Sequence, residues 1–174
     1  MNPTKPIINI ADVEVTPLPQ LFAPPESMAD RYEPRMGAIG PRIGAQKLGY
    51  NITALAPGKR AFPFHNHRIN EEMFFVIDGT GEIRIGEHTY AIRAGDVIAC
   101  PPGGAEAAHQ IINTGTQELR YLAVSTKIFP EVAEYPDSKK FGVLAEFAGQ
   151  PGEPPKLFRF VSRESEAIGY WEDN

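Results

Sequence analysis

Cysteine is nearly absent: Cys100 stands alone in 174 residues, so no internal disulfide holds this fold and no oxidising compartment is required. No stretch approaches the roughly 18 apolar residues of a membrane span. The opening MNPTKPIINI lacks the charged and apolar regions of a secretory signal. Basic residues are the minority, 17 Lys and Arg against 22 Asp and Glu, for a formal net charge of −5. That balance makes a phosphate backbone or an anionic membrane a poor partner, and there is no basic run or helix-turn-helix pattern to reverse it. The expectation is a cytoplasmic, soluble protein with no nucleic-acid and no membrane partner. Amphipathic helical periods and fixed-period repeats are missing as well, which argues against bundles, solenoids and propellers.

Proline and glycine, in contrast, are abundant, at 17 and 16 residues. They punctuate short apolar runs, as an all-β chain with many tight connections requires. Residues 1–45 read as an extended, Pro-rich N-terminal arm with one helical turn around Glu26 to Tyr32. Residues 46–130 read as the barrel core. LGYNITALAPG, AFPFHNH, EEMFFVIDGTG, EIRIG, HTYAIRAG, DVIACPPGG, AAHQIINTG and ELRYLAVSTK are its successive strands, with a hairpin tip at Gly86-Glu87-His88. Residues 131–174 read as a C-terminal segment packing on the barrel. Within it PEVAEYPDS is expected to be a loop, KKFGVLAEF and KLFRFVS strands, and Trp171 is expected to fold back onto the body.

Three of the four histidines fall where chemistry could use them. Residues two apart in a strand share a face, so His65 and His67 present two imidazoles side by side. Glu72 opens the next strand, with Phe74 and Val76 on its face as apolar pocket wall. His109 comes from a later strand, with Ile111 and Asn113 on its face; Asn113 is a candidate for orienting a ligand or the loop before it. Three imidazoles and a carboxylate make a site for one divalent ion: iron, manganese, nickel, zinc or copper. A lone buried histidine is more often a core residue, and Glu71-Glu72 alone would be a solvated pair; the economy of the set favours metal. His88, at the hairpin tip, is explained by exposure. Cys100 reads as a buried inert thiol, and Asp96 as a turn residue bonded to backbone.

Two segments resemble the two motifs of the cupin family. Gly58 to Gly79, GKRAFPFHNHRINEEMFFVIDG, carries a glycine, His-x-His, a glutamate and a closing glycine. Gly95 to Asn113, GDVIACPPGGAEAAHQIIN, carries Gly-Asp, a Pro-x-Gly turn, a histidine and an asparagine. Two spacings depart from the pattern: six residues separate Gly58 from His65, and five separate Gly103 from His109. The longer second loop makes His109 the least secured of the four ligands. The resemblance implies a double-stranded β-helix, the jelly-roll barrel, and a homodimer formed by exchange of N-terminal strands. Within the family the chain is similar to small single-domain bacterial members named sugar-phosphate isomerase-like, whose tail GYWEDN resembles.

Function follows less directly than fold. One expectation is a metal-dependent enzyme, isomerase-like or dioxygenase-like, on a small oxygen-rich molecule; no catalytic residue is assigned. Lys59, Arg60, Arg84, Arg120 and Lys127 are candidate anion-binding groups, and Tyr50, Tyr90 and Tyr121 candidate interior tyrosines. The alternative is a non-catalytic small-molecule-binding module whose metal captures a ligand or pins the fold.

Overall fold

The computed structural model describes residues 5–20, 22–150, 152–153 and 155–172. The first residues of the arm and the last two of GYWEDN therefore lie outside the described residues. The strands are β1 (Thr16–Pro17), β2 (Arg35–Ala38), β3 (Leu48–Leu55), β4 (Asn66–His67), β5 (Glu72–Asp78), β6 (Thr80–Ile85) and β7 (His88–Arg93), continued by β8 (Val97–Cys100), β9 (His109–Ile112), β10 (Leu119–Thr126), β11 (Glu131–Tyr135), β12 (Lys140–Phe147) and β13 (Lys156–Arg163). They form three antiparallel sheets, ordered β1-β2-β3-β10-β5-β8, β13-β12-β11-β4 and β7-β6-β9. The fold is all-β, and its antiparallel sheets form the jelly roll expected from the sequence.

Period-two alternation builds the core. Leu119, Tyr121 and Ala123 of β10 point inward with Phe74 and Val76 of β5, Ile83 of β6 and Ile111 of β9. Strand β10 pairs in full register with β3 on one side and, with a register shift between Arg120 and Tyr121, with β5 on the other, so its inward row sits at the centre of the large sheet. On β3, Leu55, paired with Leu119, joins this core, and the alternate residues face away. Ile52 meets Val13 and Ile39 in a second cluster, so the arm covers the outer face of the large sheet. A Cβ on Gly37 would stand 2.5 Å from Glu14 O and from Val13 Cγ1, so only glycine lets β2 run this close to the arm. The expected helical turn is a 3-10 turn at Glu26–Met28.

Two expectations need correcting. PEVAEYPDS is not a loop: Glu131–Tyr135 is strand β11, paired with β4 on one edge and β12 on the other. Its bracketing prolines, Pro130 and Pro136, end the strand without interrupting it. AFPFHNH, which Pro63 marks as an edge or irregular strand, yields the two-residue edge strand β4, because Pro63 brings no N–H to a ladder. Trp171 does not fold back. It is 81% exposed and packs edge-on against Tyr170, their ring centroids 4.8 Å apart, so the two rings shield one another instead of the barrel. The hairpin tip is the two-residue Gly86-Glu87 turn, with exposed His88 opening β7.

Candidate metal centre

Backbone pairing brings the histidines together. His65 and His109 exchange main-chain hydrogen bonds, His65 N to His109 O at 3.2 Å and His109 N to His65 O at 2.7 Å. This bridge joins the four-stranded and three-stranded sheets. Asn66 points the opposite way, its Nδ2 donating to Gly103 O at 2.8 Å and Glu134 Oε2 at 2.9 Å. Alternation therefore leaves His65 and His67 on one face. Glu72 opens β5 opposite Cys100 of β8. The longer loop before His109 folds into a 3-10 turn at Ala105–Ala107 and does not displace the histidine.

His65, His67 and Glu72 each bring one donor atom within 4.8 Å of the others. His109 reaches the cluster through Glu72, its Nε2 lying 2.9 Å from Oε2, and its ring centroid is 4.8 Å from that of His65. The nearest backbone groups orient the rings. His65 Nδ1 is 2.8 Å from Pro63 O, and His109 Nδ1 is 3.3 Å from Ala107 O. A carbonyl only accepts, so the His65 Nδ1 carries the proton and its Nε2 keeps a lone pair for the site, while the His109 Nε2 faces the Glu72 carboxylate. Both ring nitrogens of His67 are buried without a hydrogen-bond partner among the described residues. Buried polar atoms of this kind are normally satisfied. The donor set fits one divalent ion.

The electrostatics agree with that fit. Burial, reinforced by the neighbouring His109, pushes the His65 pKa down to about 4, keeping its imidazole neutral as a metal ligand must be. Burial opposes ionisation of Glu72, but the hydrogen bond to His109 and the adjacent His67 imidazole hold its carboxyl well below the usual range. Burial likewise opposes charge on His67, yet the adjacent Glu72 carboxylate, with Glu131 behind, raises its pKa. Cys100 is pushed up to about 12 by burial and then by Glu72; it is buried and inert, as expected.

Of the expected pocket residues, Phe74, Val76 and Ile111 are buried in the main core. The Phe74 ring lies 5.6 Å from those of His109 and Tyr121, so it forms the floor behind the histidines. Asn113 serves elsewhere, which corrects its expected role near the site. Its Nδ2 donates to Leu55 O and Gln117 O, both at 2.8 Å, and its Oδ1 accepts from Gly115 N at 3.0 Å. It pins the turn that follows it. The candidate cations are also committed elsewhere. Lys59 Nζ donates to Ala29 O at 2.8 Å, Arg84 pairs with Asp137 at 2.8 Å and covers the Phe64 ring, and Arg120 faces Glu118 at 4.0 Å. Tyr121 is buried, whereas Tyr90 is exposed. Asp96 Oδ2 accepts from Arg93 N at 2.8 Å, the turn role foreseen.

The residues missed by sequence reasoning sit on β11. Glu131 is 2% exposed. It accepts from Arg68 N at 3.0 Å, Ile69 N at 3.3 Å, Asn70 N at 2.8 Å and the Asn70 amide. It thereby ties down the turn between His67 and Glu72, with His67 Nδ1 3.9 Å away. Tyr135 stacks on His65 at a centroid distance of 6.2 Å and an interplanar angle of 23°. The alternation Glu131, Ala133, Tyr135 was the available signal, hidden by the flanking prolines.

A small antiparallel jelly roll with an imidazole-carboxylate cluster at the seam of its sheets defines a class of barrels that could hold a metal ion. Residues 51–125 match the family model described as Cupin domain. An uncharacterised protein of Methanocaldococcus jannaschii is 28% identical over 72 residues, 41% of this chain. That match spans only 55% of the archaeal protein's length. Among solved structures, a cupin-superfamily sugar phosphate isomerase of Silicibacter pomeroyi aligns with TM-score 0.73 at 20% identity, covering 93% of this chain and 95% of its own. A protein of Acidithiobacillus ferrooxidans, provisionally named a sugar phosphate isomerase, aligns with TM-score 0.65 at 24% identity, covering 79% of this chain and 80% of its own. At these identities the structural likeness concerns the fold.

Proposed function

We propose that this chain is a divalent-metal-dependent enzyme acting on a small oxygen-rich molecule, with His65, His67, Glu72 and His109 as the metal-holding residues. The observation that carries the reading is His67, whose two buried ring nitrogens lack a partner beside the Glu72 carboxylate. When bound there, a divalent ion supplies Lewis-acid polarisation of a carbonyl or hydroxyl oxygen. The protein's own residues do the rest. Pro63 O holds the Nδ1 proton of His65, so its Nε2 faces the substrate side. Phe74, Tyr121 and Val76 close the floor and exclude water from beneath. Half-buried His67 and Glu72 keep the upper side open to a ligand. Sugar phosphate isomerisation, the activity named for structural relatives, supplies one version of the reaction; oxygenase chemistry supplies another.

The alternative, a non-catalytic binding module, draws on one observation. Near the cluster, Cys100 and Tyr121 have pKa values raised by burial, so neither serves as a proton acceptor near neutrality. Elemental analysis of purified protein beside His67→Ala tests the metal reading. About one first-row metal per chain, lost in the variant, is expected; no metal in the native protein after anaerobic reconstitution would sink it. Turnover of sugars or hydroxy-acids that requires the metal separates enzyme from binder, because a binder returns its ligand unchanged.

A further inference from the structure

The tail that follows β13 is folded but uncovered. Glu166 fixes its departure from the strand: Oε2 accepts from Ser162 Oγ at 2.8 Å and from Arg163 N at 3.3 Å, and Oε1 pairs with Arg163 Nη1 at 3.2 Å. Beyond it, Gly169 to Glu172 closes into a turn of its own. Glu172 N donates to Gly169 O at 2.9 Å, and Gly169 N donates to Glu172 Oε2 at 2.8 Å. Tyr170 and Trp171 occupy the two central positions of that turn and are 84% and 81% exposed; Ile168, just before it, is 74% exposed. Two rings packed on one another, held by a turn closed at both ends and left in water, form a preorganised knob. Tyrosine and tryptophan are also the side chains that most often anchor an interface.

The chain also carries an uncovered face of matching character. Directly paired residues of an antiparallel sheet share a face. The pairings Val143–Phe160 and Ala145–Phe158 therefore set these four side chains together, with Phe141 and Phe147 two residues along β12 on either side. Ring contacts agree, with Phe141 6.4 Å from Phe160 and Phe147 6.2 Å from Phe158. Phe147, Phe158 and Phe160 are 55%, 44% and 46% exposed. The arm does not reach them: its Phe22 meets Arg159, which alternation places on the opposite face. A contiguous aromatic patch of this kind marks a docking surface. The one charged side chain that β12 and β13 add to it is Lys156, paired with Phe147.

Charge decides the occupant. Strand β13 carries Lys156, Arg159 and Arg163 and no acidic residue, whereas residues 164–174 carry Glu164, Glu166, Glu172 and Asp173 and no basic one. Laying β13 antiparallel and in register against its own copy would set Lys156 opposite Arg163 twice, a like-charge arrangement that disfavours strand pairing. The knob brings Glu172 directly after its rings, which suits Lys156 beside the phenylalanines. Within one chain both the knob and the face stay exposed; two copies cover each other's. We propose that this chain forms a dimer in which the Gly169–Glu172 turn of each copy seats Tyr170 and Trp171 on the phenylalanine face of β12 and β13 in the other. Such a reciprocal contact closes as a pair. It is distinct from the exchange of N-terminal strands that the family resemblance implies, and it does not depend on the metal reading. It also clamps the sheet whose β11 carries Glu131 and Tyr135 to the histidines.

Trp171 is the only tryptophan of the chain, so its emission reports the knob directly. Sedimentation velocity and Trp171 fluorescence with acrylamide quenching, on one dilution series of the full chain, provide the test. The expected result is a dimer in which Trp171 emission moves to shorter wavelength, and quenching falls, in step with association. Tyr170→Ser and Phe158→Ser should each weaken the dimer about tenfold or more while the far-UV circular dichroism stays native. Tyr170 lies in solvent, so its variant folds even where Phe158→Ser does not. A monomer at every concentration overturns the proposal, as does a dimer whose Trp171 stays open to acrylamide. A shielded Trp171 in a chain that remains monomeric overturns it too, because the tail then folds back on its own β12 and β13. So does a Tyr170→Ser variant that dimerises as tightly as the native protein.

Discussion

Glu131 satisfies the backbone amides of three consecutive residues, and these are three of the four that separate the two motif donors His67 and Glu72. A carboxylate with so many donors is costly to remove, because each N–H left unsatisfied pays its own desolvation penalty. Glu131→Ala is expected to destabilise the chain by about 3 kcal/mol and to weaken metal uptake more than a surface glutamate change does. Urea unfolding and a competitive chelator titration measure the two effects. His65 gives the pH prediction. Its folded value, about 4, lies below its ordinary 6.5, so the unfolded chain takes up more protons between those values. The stability owed to His65 is therefore present above about pH 6.5 and falls as pH drops toward 4. His67, raised by its acidic neighbours, works in the opposite sense. Site-resolved NMR of the metal-free protein should find the His65 imidazole neutral at about pH 5.5; a charged ring there would contradict the burial argument.

Strands differ in how much of their placement a sequence discloses. β5 was fully legible, since EEMFFVID alternates and ends at Asp78-Gly79. Gly79 has φ +83°, and a Cβ there would sit 2.4 Å from Glu118 O and 2.9 Å from Leu119 Cα. Gly79→Ala is thus expected to cost about 3 kcal/mol, read as a shifted denaturant midpoint without a change in slope. β4 was half legible: the His-x-His spacing marked its face, but Pro63 confined pairing to Asn66 and His67. β11 was hidden, because a five-residue strand between two prolines has the local texture of a loop. Its partners, β4 and β12, are fixed only by tertiary pairing. The positions of His65, His67, Glu72 and His109 were legible for the same reason as β5, a short periodic signal. Glu131 and Tyr135 were not, because their meaning depends on a strand some 60 residues from the motif they support.

At the scale of the whole molecule, β13 closes the tail sheet as an edge strand with Leu157, Phe158, Phe160 and Val161 all exposed. Apolar side chains on both faces of an unpaired edge favour association. Self-association is expected, with Phe160→Lys shifting the chain toward the monomer; sedimentation velocity across a concentration series decides, and a monomer throughout would remove the expectation. The two sheets that share the candidate metal centre meet through main-chain bonds between His65 and His109, which would survive the loss of either imidazole. Donor identity and barrel closure are thus separable. Over evolutionary time, such a seam lets the coordinating side chains drift, be exchanged or disappear while the container persists, so one architecture can be passed between different metals and different reactions without passing through an unfolded ancestor.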